Sequence, residues 1–218
     1  MNTVLAARIP RLSAPLLGAA LIAASAASAL PAEIDLAHAT VSDLQRAMDS
    51  GALTSERLVQ LYLNRIAAYD QKGPALNTVI TLNARALDTA RELDRERRER
   101  GPRSPLHGIP VIAKDVFDTH DMPTTGGFKP MATSQPPRDS FVIDRLRKAG
   151  AIILAKLNQS DWYGVAPTGG STLGGQVLSP YNPRKFPGGS SSGTGAAVAA
   201  WFGAVGLGSD TDGSLVIP

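Results

Sequence analysis

A serine-rich loop is the first place in this sequence where the residue types could do chemistry. The stretch PGGSSSGTG covers residues 187–195 and holds three consecutive serines between glycines. Gly and Ser are typical of flexible linkers. Here, however, they run directly into AAVAAWFGAVGLG, which predicts a small-residue helix followed by a buried strand. A Gly/Ser turn held between packed elements can present backbone N–H groups and hydroxyls to a ligand, so we interpret the stretch as a functional loop.

Three mechanisms compete for this loop. A phosphate-binding loop needs a lysine after its closing glycine, where this chain has Thr194. A nucleophile elbow, G-x-S-x-G, fits residues 189–193 with Ser191 at its centre, but it also needs a later histidine, and the last one is His120. The third is a Ser–Ser–Lys arrangement, in which a neutral lysine activates a serine hydroxyl. A serine esterase of the α/β-hydrolase type, acting from Ser191, stays open as the alternative.

Two apolar runs predict strands that could position a lysine. IPVIAK ends at Lys114, and AIILAK follows after DSFVIDRLRKAG, which predicts a helix capped at Asp139 and closed by Gly150. Unbroken apolar strands that alternate with helices indicate an α/β fold. Side chains alternate along a strand, so Lys114 and Asp115 should point to opposite faces. Burial at the end of the first run would lower the pKa of Lys114 and allow it to act as a base.

Further helices are predicted before these strands. Val41, Leu44 and Met48 recur on one face of a first helix that stops at Gly51. A second helix covers TSERLVQLYLNRIAAYD, and its core-facing stripe is predicted to be Leu58, Tyr62, Ile66 and Tyr69.

A third helix should run from residue 83 to about residue 99 and carries a dense run of charges. Within ARELDRERRERGPR, the spacing predicts the ion pairs Asp94–Arg98 and Glu96–Arg100 on one exposed surface.

The first thirty residues have the pattern of a secretory signal peptide. Arg8 and Arg11 precede an apolar, Ala-rich stretch, and residues 27–29 form an A-x-A cleavage site. The apolar part is shorter than the roughly 20 residues that span a bilayer. We therefore expect residues 1–29 to be removed on export and residues 30–218 to form the mature domain, periplasmic or secreted, without a stable membrane anchor.

Composition excludes several classes of function. Of 22 basic residues two lie in the signal, so the mature chain would carry 20 against 19 acidic residues, and nucleic-acid binding is not indicated. There is no cysteine, and the three histidines are scattered, so we expect neither thiolate chemistry nor a metal site.

From about Val41 to Pro218 the sequence resembles the amidase-signature hydrolases, most closely the bacterial peptide-amidase branch. The most specific block is PGGSSSGTGAAVAAWFGAVGLGSDTDGS, and HGIPVIAKD, GAIILAKLNQSDW, GGQVLSPYNP and TDGSLVIP match further blocks. The resemblance implies a mixed β-sheet core covered by helices on both faces. Because members of that family are much longer, we expect this chain to be their N-terminal part, truncated at its C-terminal end.

The resemblance also assigns roles to residues. Lys114 would be the general base, Ser190 a bridging serine held after a cis peptide bond, and Ser214 the nucleophile. Gly189, Ser191 and Gly193 would support the loop. The oxyanion hole would consist of the backbone N–H groups of Thr211, Asp212, Gly213 and Ser214.

The expected function is cleavage of a carboxamide through an acyl-enzyme, without a cofactor. The substrate would be a small-molecule amide or a C-terminally amidated peptide. Two departures from the family pattern stand near the nucleophile: Asp212 replaces a common glycine, and Val216 replaces a common arginine. A catalytically inactive, truncated remnant is the other alternative.

Overall fold

The computed structural model describes residues 35–163 and 169–218, which belong to one unit from Glu33 to Pro218. The predicted signal peptide and its cleavage site lie outside the described residues. Within these two ranges, no helix is both long and apolar enough to cross a bilayer.

Five α-helices and six strands make up the described fold. The helices are α1 (Val41–Asp49), α2 (Ser55–Tyr69), α3 (Ala86–Arg100), α4 (Phe141–Lys148) and α5 (Ser192–Ala199). The strands are β1 (Val79–Leu82), β2 (Pro110–Lys114), β3 (Ile152–Leu157), β4 (Gly170–Ser171), β5 (Gly175–Gln176) and β6 (Val205–Leu207).

The main sheet has the strand order β1-β3-β2-β6. Strand β2 lies parallel to both β3 and β6, whereas β1 pairs antiparallel with β3. Strands β4 and β5 form a separate two-stranded hairpin. The predicted strands IPVIAK and AIILAK are confirmed as β2 and β3, and the sheet is mixed, as expected.

Both faces of the central strands are buried, which explains their unbroken apolar sequences. Ile112 of β2 packs in a core with α1, α2, α3 and α5, while Val111 and Ala113 pack in a second core with Ile143 of α4. Alternate residues of a strand point to opposite faces, so a strand between two helical layers must be apolar throughout. The prediction of helices on both faces is confirmed.

The first two helices follow the predicted pattern with one exception. Thr40 caps α1 in a reciprocal capping box with Asp43, and Leu44 and Met48 are buried. In α2 the residues Leu58, Tyr62 and Ile66 are buried, but Tyr69 is 43% exposed. Tyr69 is the last residue of α2, and its ring lies under the guanidinium of Arg65 instead of in the core.

The starts of α3 and α4 differ from the prediction. Helix α3 begins three residues later than residue 83, because Asn83 is bound to β3. Its side-chain amide donates to Ile153 O, and its backbone N–H donates to Leu154 O. Helix α4 is preceded by Ser140, not capped by Asp139. The Asp139 carboxylate instead accepts the backbone N–H of His120, 2.9 Å away.

The predicted ion pairs on α3 are wrong. Glu96 binds Arg103, beyond the end of the helix. Asp94 is buried, and its carboxylate accepts the backbone N–H groups of Ser55 (2.7 Å) and Glu56 (3.0 Å). These N–H groups stand at the first turn of α2, where no intrahelical acceptor exists and the helix dipole favours a negative charge. Asp94 therefore links α3 to the start of α2.

Replacing Asp94 by alanine should destabilise the fold, because it removes the acceptor for two buried N–H groups. We expect Asp94→Ala to lower the free energy of unfolding by about 1–2 kcal/mol, or the melting temperature by about 2–8 °C. The control is Asp88→Ala, which removes an exposed carboxylate of the same helix and should change stability by less than about 0.5 kcal/mol. Equal melting temperatures for the two variants would contradict the capping role.

Candidate active site

The structure brings together the three residues predicted to form the triad. Lys114 ends β2 and is fully buried, and its Nζ donates to Ser190 Oγ at 2.7 Å. Ser190 Oγ in turn donates to Ser214 Oγ at 2.8 Å. A continuous chain of hydrogen bonds therefore connects the buried amine to the outer serine, although these residues are 76 and 24 positions apart in sequence.

The glycines around Ser190 are required by close packing. A Cβ on Gly189 would lie 2.5 Å from Ser160 Oγ, and a Cβ on Gly193 would lie 2.7 Å from Thr78 O. Both distances are shorter than any ordinary contact. The Gly189–Ser190 peptide bond is cis, as the resemblance implies. Ser190 O accepts the N–H of Ser160 at 3.2 Å, so the loop is anchored to the chain that follows β3.

Ser191, the nucleophile of the alternative esterase mechanism, is fully buried. Its hydroxyl donates to Ser209 O at 3.1 Å, and its N–H donates to Ser214 O at 3.2 Å. The histidine rings make their hydrogen bonds elsewhere, with Asp35, Leu93, Arg103 and Asp139. Ser191 thus ties two loops together and has neither the exposure nor the imidazole partner that an elbow requires.

Burial lowers the pKa of Lys114 to about 8, and the negative charge of Asp210 partly opposes this shift. A lysine with this pKa is neutral for an appreciable fraction of molecules near neutral pH. Asp115 faces the other side of the strand, as predicted, where its carboxylate pairs with the buried Lys156 at 2.9 Å. The carboxylate next to Lys114 in sequence is therefore already paired with a different cation.

Asp210 organises the turn that carries Ser214. Its carboxylate accepts the N–H groups of Leu215 at 2.7 Å and Gly213 at 2.9 Å. These backbone hydrogen bonds, led by the one from Leu215, lower the pKa of Asp210. The Gly213 N–H, one of four predicted oxyanion donors, is thus directed at Asp210 in this structure. The oxyanion role of this segment stays a prediction.

Sequence reasoning missed Ser209. Its hydroxyl accepts a second hydrogen bond from Lys114 Nζ at 2.9 Å. The sequence predicts a strand before Ser209 but not its place in the sheet, and only the structure shows that this strand, β6, is the parallel neighbour of β2. The carboxyl ends of adjacent parallel strands meet at one edge of a sheet, so a polar residue after β6 should lie near Lys114.

Comparison with known proteins finds the same fold in amidases. The amidase family model matches residues 57–218. The chain is 45% identical to the peptide amidase of Stenotrophomonas maltophilia, whose crystal structure superposes with a TM-score of 0.80 over 82% of this chain and 37% of that one. It is also 40% identical to an amidase family protein from Bacillus anthracis, with a TM-score of 0.79 over 82% of this chain and 36% of that one.

The chain therefore belongs to the amidase family. Among curated proteins, it is 41% identical to one component of the glutamyl-tRNA(Gln) amidotransferase of an Azoarcus species, over 83% of this chain and 36% of the relative. The chain spans about a third of the length of the curated relatives it matches.

The lowered pKa of Lys114 can be measured directly. In protein labelled with ¹³C at lysine Cε, we expect one resonance to titrate near pH 8, well below the ordinary lysine value of about 10.4. Lys114→Met should remove that resonance and leave the others in place. Because the neutral amine is the form that accepts a proton, reaction at Ser214 should speed up as the pH rises through 8. A Lys114 signal near pH 10 would contradict the prediction.

Proposed function

We propose that this protein hydrolyses carboxamides through a covalent acyl-enzyme on Ser214. The observation that carries the proposal is the buried hydrogen-bond chain from Lys114 through Ser190 to Ser214. Membership in the amidase family supports an amide as the substrate.

The proton path follows from the donor and acceptor capacity of the groups. A serine hydroxyl can both donate and accept, so the chain of hydrogen bonds can run in either direction. With Lys114 neutral, Ser190 would donate to Nζ and accept from Ser214, which makes the Ser214 oxygen nucleophilic. With Lys114 protonated, the direction reverses to the one in the structure, and Ser190 can pass a proton outward to the leaving nitrogen.

The reaction then takes two stages. Ser214 Oγ attacks the carbonyl carbon, the C–N bond breaks, and the nitrogen leaves as ammonia or an amine with the proton relayed through Ser190. Water next attacks the acyl ester and restores Ser214, with the same relay accepting its proton.

The proposed substrates are C-terminally amidated peptides and small aryl or aliphatic amides. The similarity to a peptide amidase supports the first group. Asp212 and Val216 are exposed near Ser214, so their side chains are available to a substrate. A serine esterase acting from Ser191 is disfavoured by the burial of that hydroxyl.

Substitutions in the triad test the mechanism. We expect Ser214→Ala to abolish covalent labelling by a fluorophosphonate probe, and Ser190→Ala and Lys114→Met to slow it at least about 10³-fold. Ammonia release from peptide amides should fall in parallel. Ser191→Ala is the matched control, since it alters the neighbouring serine, and it should keep the labelling of Ser214.

The opposite pattern, labelling that depends on Ser191 and not on Lys114, would establish the esterase mechanism. Folded protein that is not labelled at Ser214 would indicate the inactive remnant.

We also propose that the protein is exported, on the strength of the pattern in residues 1–29. Intact mass and N-terminal sequencing of the protein from its own cells should give a chain that begins at Leu30, within a few residues. A chain that retains Arg8 and Arg11 would overturn the proposal.

A further inference from the structure

A buried glutamine near the triad has no partner for its side chain among the described residues. Gln159 is fully buried, and neither its Oε1 nor its Nε2 makes a hydrogen bond with residues 35–163 or 169–218. Its backbone N–H, by contrast, donates to the Asn158 side chain at 2.9 Å. Leaving a buried polar atom unpaired typically costs about 1–3 kcal/mol. An unpaired donor and an unpaired acceptor on one side chain therefore point to a ligand with the complementary pair.

Gln159 lines a cavity of about 210 Å³ together with Thr125, Gly126, Met131 and Trp162. The walls of this cavity are held by hydrogen bonds: Trp162 N–H donates to Gly126 O, and Thr125 N–H donates to the Asp115 carboxylate, both at 3.1 Å. Pockets for whole drug-sized ligands measure about 300–1,000 Å³. This cavity suits one segment of a substrate.

The cavity lies at the same sheet edge as the triad. Lys114 pairs in register with Leu157, so Gln159 is two residues, at most roughly 7 Å, beyond the level of Lys114. Ser160, the next residue, donates its N–H to Ser190 O. Gly126, which also lines the cavity, donates its N–H to the backbone oxygen of Asp115, the neighbour of Lys114. The lining is thus attached directly to two segments that carry the triad.

The chemistry of the lining selects a neutral amide. A carboxamide offers N–H donors and a C=O acceptor side by side, and a second amide matches both at once. A carboxylate would leave Oε1 unpaired and would also face Asp118, which lines the same cavity. An ammonium group would leave Nε2 unpaired. A peptide-type amide satisfies both atoms of Gln159 without a charge.

We propose that Gln159 forms a substrate subsite that binds a second, uncleaved amide group of the substrate. The inference rests on the proposed function and narrows it to substrates in which the scissile carboxamide is joined to another amide. In this arrangement Oε1 accepts the N–H of the second amide and Nε2 donates to its carbonyl oxygen. Gln159 is then a specificity residue and takes no part in the proton relay.

Two small amides of nearly equal shape test the subsite. N-acetylglycinamide carries a second amide, whereas 2-acetoxyacetamide has an ester oxygen in place of that N–H. The affinity for each compound is measured by NMR titration on the Ser214→Ala protein and on the Ser214→Ala, Gln159→Leu double variant. Ammonia release is measured on protein that retains Ser214. With Gln159 present, we expect N-acetylglycinamide to bind about tenfold or more tightly than 2-acetoxyacetamide. In Gln159→Leu this difference in affinity should disappear.

The melting temperature separates a binding role from a structural one. Gln159→Leu removes two unpaired buried polar atoms, so it should raise the melting temperature by about 2–4 °C while abolishing the preference. Gln60→Leu, on the surface of α2 away from this cavity, is the matched control and should keep the preference. An unchanged preference in Gln159→Leu, or an equal affinity for the two amides when Gln159 is present, would overturn the proposal.

Failure of the proposed catalytic function can be distinguished from failure of the Gln159 proposal. If no ammonia is released and Ser214 is not labelled, the catalytic proposal is wrong, yet the titration on Ser214→Ala still decides whether Gln159 recognises the second amide.

Discussion

The hydrogen bond from Lys114 to Ser190 is the interaction on which the rest of the site depends. An amine buried at the end of a central strand cannot reach water and must find its partners within the protein. Those partners include the neutral hydroxyls of Ser190 and Ser209. A hydroxyl stabilises an ammonium group less than a carboxylate does, so burial prevails and the pKa of Lys114 falls to about 8.

A second buried lysine has a charged partner. Lys156 lies on the adjacent strand, and its ammonium group pairs with the Asp115 carboxylate. Burial lowers its pKa too, but Asp115 opposes the shift. The two lysines have similar burial and different partners. Lys156 is thereby suited to hold the segment around Thr124 in place, through a hydrogen bond to its hydroxyl. Lys114 is suited to exchange a proton.

Sheet topology explains why so many polar groups meet in one place. Strands β2, β3 and β6 are parallel, so the chain leaves all three at the same edge. Lys114 ends the first, Gln159 and Ser160 follow the second, and Ser209 follows the third. Open α/β sheets bind ligands at the carboxyl ends of their strands for this reason. The helices on both faces bury the apolar residues of the same strands and hold those ends in register.

The sequence by itself determined the two central strands, most helices and the three residues of the proposed triad, because apolar periodicity and a long specific motif are local signals. Asp94 was predicted to pair along its own helix, but the tertiary structure brings it to the first turn of α2, where unpaired N–H groups outcompete an exposed arginine. The exposure of Tyr69 and the contact of Ser209 with Lys114 likewise depend on residues that are distant in sequence. Which groups a side chain meets across the fold depends on strand order and helix packing, and only the tertiary structure decided that.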